Sequence, residues 1–301
     1  MTPLNTLVVV GVGLIGGSLA LALKRAGAVQ RVIGVGRSQA NLDEALRLGI
    51  IDAALSLEEA AREADAIFVA TPVAQMPRVF AALALHAKST SVIFDGGSTK
   101  QDVVAAARLH LGAKISHFVP AHPIAGTEKT GAAAAFASLY EKRKVVLTPL
   151  PETSAQALAT VGEIWTTCGS DLRHLTPEKH DDIFAAVSHL PHLLAFGIVD
   201  QLAQSGNAPD YFDYAASGFR DFTRIAAGSA EMWRDISLAN RDALRQQLAA
   251  FRIMIERYDA WLAEPDSDAL FDSFARASSA RRQWQAAIER GESPRTIFSE
   301  E

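Results

Sequence analysis

A doubly wound parallel α/β sheet followed by an all-α region is the fold class this sequence predicts, and three observations predict it. Short β-branched runs alternate with amphipathic stretches through the first half of the chain, the pattern of a parallel sheet covered by helices. The first run leads directly into a glycine-rich turn, Gly11-Val-Gly13-Leu-Ile-Gly16, and then into a helical stretch. After about Ser170 the β-branched runs stop and helical periodicity takes over. The reading divides the chain into an α/β domain over 1–172 and a helical domain over 173–301.

Taken in order, strands are expected at 7–10, 31–35, 66–70, 91–94, 117–119 and 144–148, with helices at 14–26 and 102–111 among those between them. The strands read as continuous apolar runs, as strands covered on both faces do. In the second half, Thr176-Pro177 opens a helix with a hydroxyl at the cap and a proline whose missing amide would be unpaired anyway. That helix should reach about Gly206, with a kink or local unwinding at Pro191, which removes a backbone donor. A second long helix is expected from near Ser229 to just before Pro265, with Leu244, Leu248, Phe251, Ile255, Tyr258 and Leu262 at alternating spacings of four and three. Leu270, Phe274, Ala277, Trp284 and Ile288 continue that pattern on a third. Such a stripe forms either an intramolecular bundle core or a seam between two copies of the chain, and both can hold at once.

The 301 residues are 49% apolar and 21% charged, which excludes disorder and leaves material for two ordinary cores. With 29 basic against 34 acidic side chains the chain lacks the cationic excess of a nucleic-acid binder. The single cysteine, Cys168, cannot form an intrachain disulfide, and its apolar setting reads as packing. No charged residue precedes Lys24, so the N-terminal run imitates a membrane anchor. It lacks a basic leading segment, however, and four glycines interrupt it. A soluble, cytoplasmic protein without a membrane partner is expected.

The glycine motif has the context that separates a dinucleotide site from a chance turn: a strand before it, a helix after it and a second strand where the unit requires one. Gly11 permits the tight turn, Gly13 lets backbone approach a pyrophosphate, and Gly16 lets helix and strand pack closely. The amides of Leu14 and Ile15 then face the phosphates at the positive end of the helix. At the end of the second strand, where NAD enzymes usually place a carboxylate, stands Gly36-Arg37-Ser38. A guanidinium and a hydroxyl there accommodate a 2′-phosphate, so NADP is the expected cofactor, with NAD use left open.

Ligands in open parallel sheets bind beyond the carboxyl ends of the strands. Three polar clusters follow expected strands at that edge: Thr71-Pro72, Asp95-Gly-Gly-Ser98-Thr-Lys100, and His122-Pro-Ile-Ala-Gly126-Thr127-Glu128-Lys129. His122 ends a strand, precedes proline and leads into a polar loop. His189 and His192 stand three apart on the first long helix. No third ligand completes a metal site around them, and none is expected.

In these motifs the chain resembles the prephenate/arogenate dehydrogenases of tyrosine biosynthesis. The likeness rests on GVGLIGGSLA at 11–20, DGGSTK at 95–100, HPIAGTEKTG at 122–131, SHLPH at 188–192, GFRDFTRIA at 218–226 and MWRDI at 232–236. It implies oxidative decarboxylation of a cyclohexadienyl ring, with hydride passing to a nicotinamide and loss of carbon dioxide making the ring aromatic. By correspondence, His122 is the catalytic histidine, accepting a hydrogen bond from the ring hydroxyl, and Ser98 is the serine that hydrogen-bonds both. Arg224 binds a substrate carboxylate, His192 lies near the substrate with His189 close by, and Thr127 and Glu128 line it. Trp233 packs beside the pocket, and Arg220 is the second candidate for the carboxylate, with pairing to Asp221 as its other reading. The resemblance also implies a homodimer through the helical domain and feedback by tyrosine at the active site or the seam. The length leaves no room for an added catalytic or regulatory domain after the helices, so one activity is expected. Ala216-Ser217 departs from the glycine run common before Gly-Phe in such proteins.

Two other readings stay open on the residues alone. One is a β-hydroxyacid dehydrogenase, which would need a catalytic lysine on a helix of the second domain, where only Lys179 is present. The other is a dinucleotide-sensing module without turnover.

Overall fold

The computed structural model describes residues 2–127 and 129–291. The first half is built on a six-stranded, all-parallel sheet of strands β1 (Leu4–Val10), β2 (Val29–Val35), β3 (Ala53–Ala54), β4 (Ala66–Val69), β5 (Val92–Asp95) and β6 (Phe118–Val119). Their spatial order is β3-β2-β1-β4-β5-β6, so the winding reverses between β1 and β4. Helices α1 (Leu14–Arg25), α2 (Gln39–Arg47), α3 (Leu57–Glu63), α4 (Met76–His86) and α5 (Gln101–His110) make the crossovers. This is the doubly wound class that the alternating sequence predicts.

The pleat explains the continuous apolar runs. Leu7 and Val9 face one core with Phe68, Phe94 and Trp165, while Val8 and Val10 face another with Ile67, Phe80 and Phe118. Each strand is therefore buried on both sides. The run at 144–148 does not join this sheet, contrary to the sequence reading. It forms β8 (Lys144–Leu147) of a separate three-stranded sheet, antiparallel to β7 (Ala121–Pro123) and parallel to β9 (Asp171–His174), with α6 (Ala155–Thr167) between β8 and β9. Apolar periodicity identifies a strand but not its partner. Register with β7 places His122 opposite Val146.

The helical part begins after β9. Thr176 caps α7 (Pro177–Phe184) by accepting a hydrogen bond from the Lys179 amide, as the Thr-Pro pair predicts. The disturbance expected at Pro191 is a π-turn at Ala185–His189, immediately before α8 (Leu190–Ala203), whose second residue is that proline. By length and composition Pro177–Ala203 could cross a membrane. Yet its first turns carry buried His180 and Asp181, and the Asp181 carboxylate accepts from the Lys100 and Gln101 amides at the start of α5. Helices α9 (Ala208–Asp213), α10 (Ser217–Thr223) and α11 (Ala230–Ala239) follow.

The single helix expected from Ser229 to Pro265 is two: Ser229 caps α11, and Asn240 leaves the helical path before α12 (Arg241–Ala263). Asn240 is buried and hydrogen-bonded, so tertiary partners override a continuous pattern. Among the described residues, those up to Leu244 form one compact unit and those from Arg245 another. In the second unit, Tyr258 of α12 meets Ser273 and Phe274 of α13 (Ser267–Glu289). Leu248, Ile255, Leu262, Phe274, Trp284 and Ile288 stay exposed, so the apolar stripe is not the interior of an intramolecular bundle.

Candidate active site

Two constellations sit at the carboxyl edge of the parallel sheet. The first is the turn after β1, at the point where strand order reverses. Gly11 has φ +100°, and a Cβ there would lie 2.6 Å from the Ala70 carbonyl oxygen at the end of β4, so only glycine fits. A Cβ on Gly16 would meet the Gly11 oxygen and Val9. On Gly13 it would meet nothing within 4 Å. Two glycines are thus required by packing, and the third leaves open space in front of backbone. Gly13 also caps α1 without any side-chain hydrogen bond, leaving the first-turn amides of Leu14, Ile15 and Gly16 for a ligand. Beside the turn, the Thr71 hydroxyl is buried without a hydrogen-bond partner among the described residues, next to Pro72. An orphaned hydroxyl, an open glycine and uncapped amides in one crevice suit a dinucleotide.

The turn is braced from the far side by the loop that starts at His122. Asn41 donates from Nδ2 to the Val12 carbonyl (2.7 Å) and accepts at Oδ1 from the Ala132 amide (2.8 Å). Tyr140 donates to the Ile15 carbonyl, and Ser18 accepts from the Phe136 amide. At the other end, Gly36, Arg37 and Ser38 are exposed. Arg37 Nη2 lies 3.8 Å from Glu231 Oε1, and the guanidinium donates to the Gln75 side-chain oxygen. The Ser38 hydroxyl caps α2, accepting from the Asn41 amide at 3.3 Å.

The second constellation surrounds His122. Its floor is a fully buried ion pair: Lys100 Nζ donates to Asp95 Oδ2 and to the Ala121 carbonyl, while Asp95 Oδ1 accepts from the Ala121 amide. Both backbone groups of the residue before His122 are therefore fixed by charged partners. The half-buried His122 ring packs on Phe184, and its Nδ1 lies 2.8 Å from His180 Nε2. His180 Nδ1 in turn lies 2.8 Å from Asp181 Oδ1. Burial, then the neighbouring His180, Lys100 and His189, push His122 well below the usual imidazole range. It is neutral at physiological pH.

His189, at the end of the π-turn, is buried with Nδ1 against the Asn240 amide nitrogen, which also donates to the Asp181 carbonyl. Burial pushes its ring down to about 4. His192 stacks on Trp233 at 3.6 Å and its Nδ1 donates to the Ser188 carbonyl. Burial lowers His192 too, and the positive charge of Arg224 lowers it further, which brings that arginine within electrostatic reach of the ring. Arg224 itself opens the turn Arg224–Ala227 after α10 and is exposed.

His122 is within electrostatic reach of His189, His189 of His192 and His192 of Arg224, and Trp233 packs against His189 and His192. Ser98 lies in the loop after β5, half-buried, between the Gly97 amide that Asp95 holds and the buried Thr99. Thr127 is exposed and its hydroxyl accepts from the Lys129 amide. Glu128 lies outside the described residues. Arg220 stands 3.9 Å from Asp221, both exposed. Lys179 pairs with Asp182 on the surface. Cys168 is buried, with its thiol pushed up to about 12 by burial. Reasoning from sequence did not single out His180, Asp181, Asn240 or Asn41. The one available signal was polar residues, His180 and Asp181, in the opening turns of an otherwise apolar helix.

Comparison with known proteins points to one family. The model of the prephenate dehydrogenase nucleotide-binding domain matches residues 19–174, and that of the prephenate dehydrogenase dimerization domain matches 176–276. The prephenate dehydrogenase of Bacillus subtilis strain 168 is 37% identical over 280 residues, 92% of this chain and 75% of that protein. The cyclohexadienyl dehydrogenase of Zymomonas mobilis is 35% identical over 285 residues, 93% of this chain and 96% of that one. A crystal structure of prephenate dehydrogenase from A. aeolicus, in complex with hydroxyphenyl propionate and NAD+, superposes with a TM-score of 0.86 at 33% identity. It covers 93% of this chain and 98% of its own. This chain belongs to the prephenate dehydrogenase family, nicotinamide-dependent enzymes that oxidatively decarboxylate prephenate in tyrosine biosynthesis.

Proposed function

We propose that this chain oxidatively decarboxylates prephenate, with arogenate as an alternative substrate carrying the same ring, and that NADP is its preferred cofactor. The observation that carries the reading is a neutral, half-buried His122 whose Nδ1 is already engaged, so that Nε2 is the nitrogen left for a substrate hydroxyl. The A. aeolicus relative was crystallised with NAD+ and hydroxyphenyl propionate, which supports a nicotinamide dinucleotide and a ring acid as occupants here.

The turn from Gly11 to Gly16, with Thr71 and Pro72, would hold the pyrophosphate and nicotinamide half of the dinucleotide. Gly36, Arg37 and Ser38 would meet the ribose and a 2′-phosphate. A dinucleotide held there would supply the acceptor for the hydride that leaves the ring carbon bearing the hydroxyl. His122 accepts a hydrogen bond from that hydroxyl as its acidity rises, and can take the proton and return it to the phenol, so no net proton is gained or lost. The bond between the ring and its carboxylate breaks, carbon dioxide departs, and the electron pair it leaves completes the aromatic ring. Arg224 supplies a planar fork for a substrate carboxylate, with His192 on Trp233 beside it and Thr127 and Glu128 along the loop. Ser98 orients the hydroxyl toward His122, and His189 closes the side wall. The exposed stripe on α12 and α13, within or next to the region matched by the dimerization-domain model, is the face that a second copy would cover. We take residues 1–172 as the cofactor domain and 173–301 as the substrate and dimer domain of a cytoplasmic enzyme, with tyrosine as a feedback ligand.

Initial rates with prephenate and arogenate, each against NAD and NADP, test the proposal through the absorbance of the reduced cofactor. Reduction that depends on a cyclohexadienyl acid is expected; cofactor binding without reduction would leave the sensing module as the better reading. Arg224→Ala should raise KM for the ring substrate by roughly tenfold to a hundredfold with a smaller change in kcat. An unchanged KM would place the carboxylate elsewhere.

A further inference from the structure

The hydrogen bonds around His122 assign more than a position. Asp181 accepts from the Lys100 amide at Oδ1 (2.8 Å) and from the Gln101 amide at Oδ2 (2.9 Å). Burial works against its charge, but the His180 ring and these two amides outweigh burial and hold the carboxyl below its ordinary value. An ionised carboxylate only accepts, so the His180 Nδ1 that faces it at 2.8 Å carries a proton. Burial also keeps His180 neutral, against the pull of Asp181. A neutral ring with a proton on Nδ1 has a lone pair on Nε2, and that atom faces His122 Nδ1. Two lone pairs cannot share a 2.8 Å contact, so His122 Nδ1 is the donor. His122 Nε2 is then left unprotonated.

We infer that His180 and Asp181 are positioning residues that fix His122 in its Nδ1–H tautomer and so present the Nε2 lone pair to the substrate hydroxyl. The inference rests on the reading of His122 as the acceptor for that hydroxyl. The three groups form a relay anchored at its far end by the first amides of α5, the helix that begins after the Ser98 loop. That loop and the His122 tautomer are therefore set by one element. A positive charge developing on His122 as it accepts the proton is met through His180 by the Asp181 carboxylate, by the logic that lets a buried carboxylate orient a catalytic imidazole in hydrolases. Neither His180 nor Asp181 has to touch the substrate for this.

The direct test is a long-range proton–nitrogen NMR spectrum of the eight histidine rings in the full-length protein, with the His122 signals identified by their loss in His122→Asn. A proton on Nδ1 of His122 and of His180 is expected; a proton on His122 Nε2 overturns the inference. Kinetics give a second arm. In Asp181→Asn the carboxamide can donate to His180, reversing both tautomers and putting a proton on His122 Nε2. Its kcat should fall on the order of a hundredfold or more, with KM and the dinucleotide Kd within about threefold of the parent. His180→Gln keeps an acceptor for Nδ1–H and should lose less, about tenfold. An Asp181→Asn variant with kcat within about threefold of the parent overturns the inference. Should that variant fail to fold, the ring spectrum of the unaltered protein decides alone. A chain that shows the expected tautomer yet turns over neither ring acid refutes the proposed reaction, whereas turnover with the opposite tautomer refutes only the relay.

Discussion

The turn after β1 and the pocket around His122 lie at the same sheet edge but are built from opposite materials. The turn is backbone: positive φ at Gly11, an open Gly13 and uncapped amides at the head of α1, with no charged side chain in it. The pocket is side chain: a buried lysine–aspartate pair, four buried or half-buried histidines, a buried asparagine and a carboxylate, each held by a partner. A backbone site needs only local sequence to specify it and tolerates any pH at which the chain is folded. A network of buried polar groups needs several distant segments and fails as a unit when one partner is lost.

The sharpest way to separate the two is to damage one and read the other. His122→Asn keeps a donor near the position of Nδ1, so His180 retains a partner, but it removes the Nε2 acceptor. Turnover should drop by roughly a hundredfold or more, while dinucleotide affinity measured by fluorescence titration stays unchanged. Near-normal turnover would remove His122 from the chemistry, and lost dinucleotide affinity would show that the two regions are not independent.

Acid should reach the pocket before the turn. His122, His180 and His189 are all held below the ordinary imidazole value, His189 at about 4, chiefly by burial. Between about pH 6.5 and the native values, the unfolded chain binds protons that the folded chain does not. Stability is therefore complete above that range and falls as pH drops through it; His189 alone accounts for about 3 kcal/mol. Asp181, held low, adds to the loss further down. Denaturant midpoints measured from pH 7.5 to 4.5 should decline steadily, and a flat profile would mean these rings already carry protons in the fold.

The contrast also explains what could be read from sequence. Gly11, Gly13 and Gly16 are five residues apart at most, and each role is a local backbone demand, so the motif announced its own structure. The parallel sheet was legible for a similar reason, since runs such as Val8-Val9-Val10 are strands whatever lies beside them. Strand partnership was not: the apolar run in β8 looks like its neighbours but pairs with β7 and β9. His180 and Asp181 were missed because their meaning depends on His122 and the Lys100 and Gln101 amides, about 60 and 80 positions away. Asn240 was hidden by the apolar spacing on either side of it, which continues through a break that only its hydrogen bonds to His189 and Asp181 require.

Within the turn, two glycines should behave differently. Gly16→Ala forces a methyl against the Gly11 oxygen and Val9, an overpacking that costs about 1–3 kcal/mol and lowers Tm together with cofactor affinity. Gly13→Ala meets no protein atom, so Tm should hold while dinucleotide affinity drops by roughly tenfold. A Gly13→Ala protein that binds dinucleotide as well as the parent would mean the open space in front of Gly13 is not where the phosphates lie.

The smallest effect is expected at Arg37, the charged side chain proposed to meet a 2′-phosphate. The guanidinium is 72% exposed and shared between Gln75 and Glu231, so water and an opposing carboxylate both weaken its hold on a 2′-phosphate. Arg37→Ala should therefore raise KM for NADP by no more than about tenfold and leave KM for NAD nearly alone. Glu231 sits at the start of α11, two residues before the Trp233 that stacks on His192. Glu231→Gln should move NADP the other way, lowering its KM about twofold to threefold, because a nearby anion no longer opposes the phosphate. Paired measurements on both cofactors decide the matter. Opposite shifts for NADP with NAD unmoved make this ion pair the selector between the two cofactors, whereas equal shifts for both would reduce Arg37 to a surface cation near the adenine.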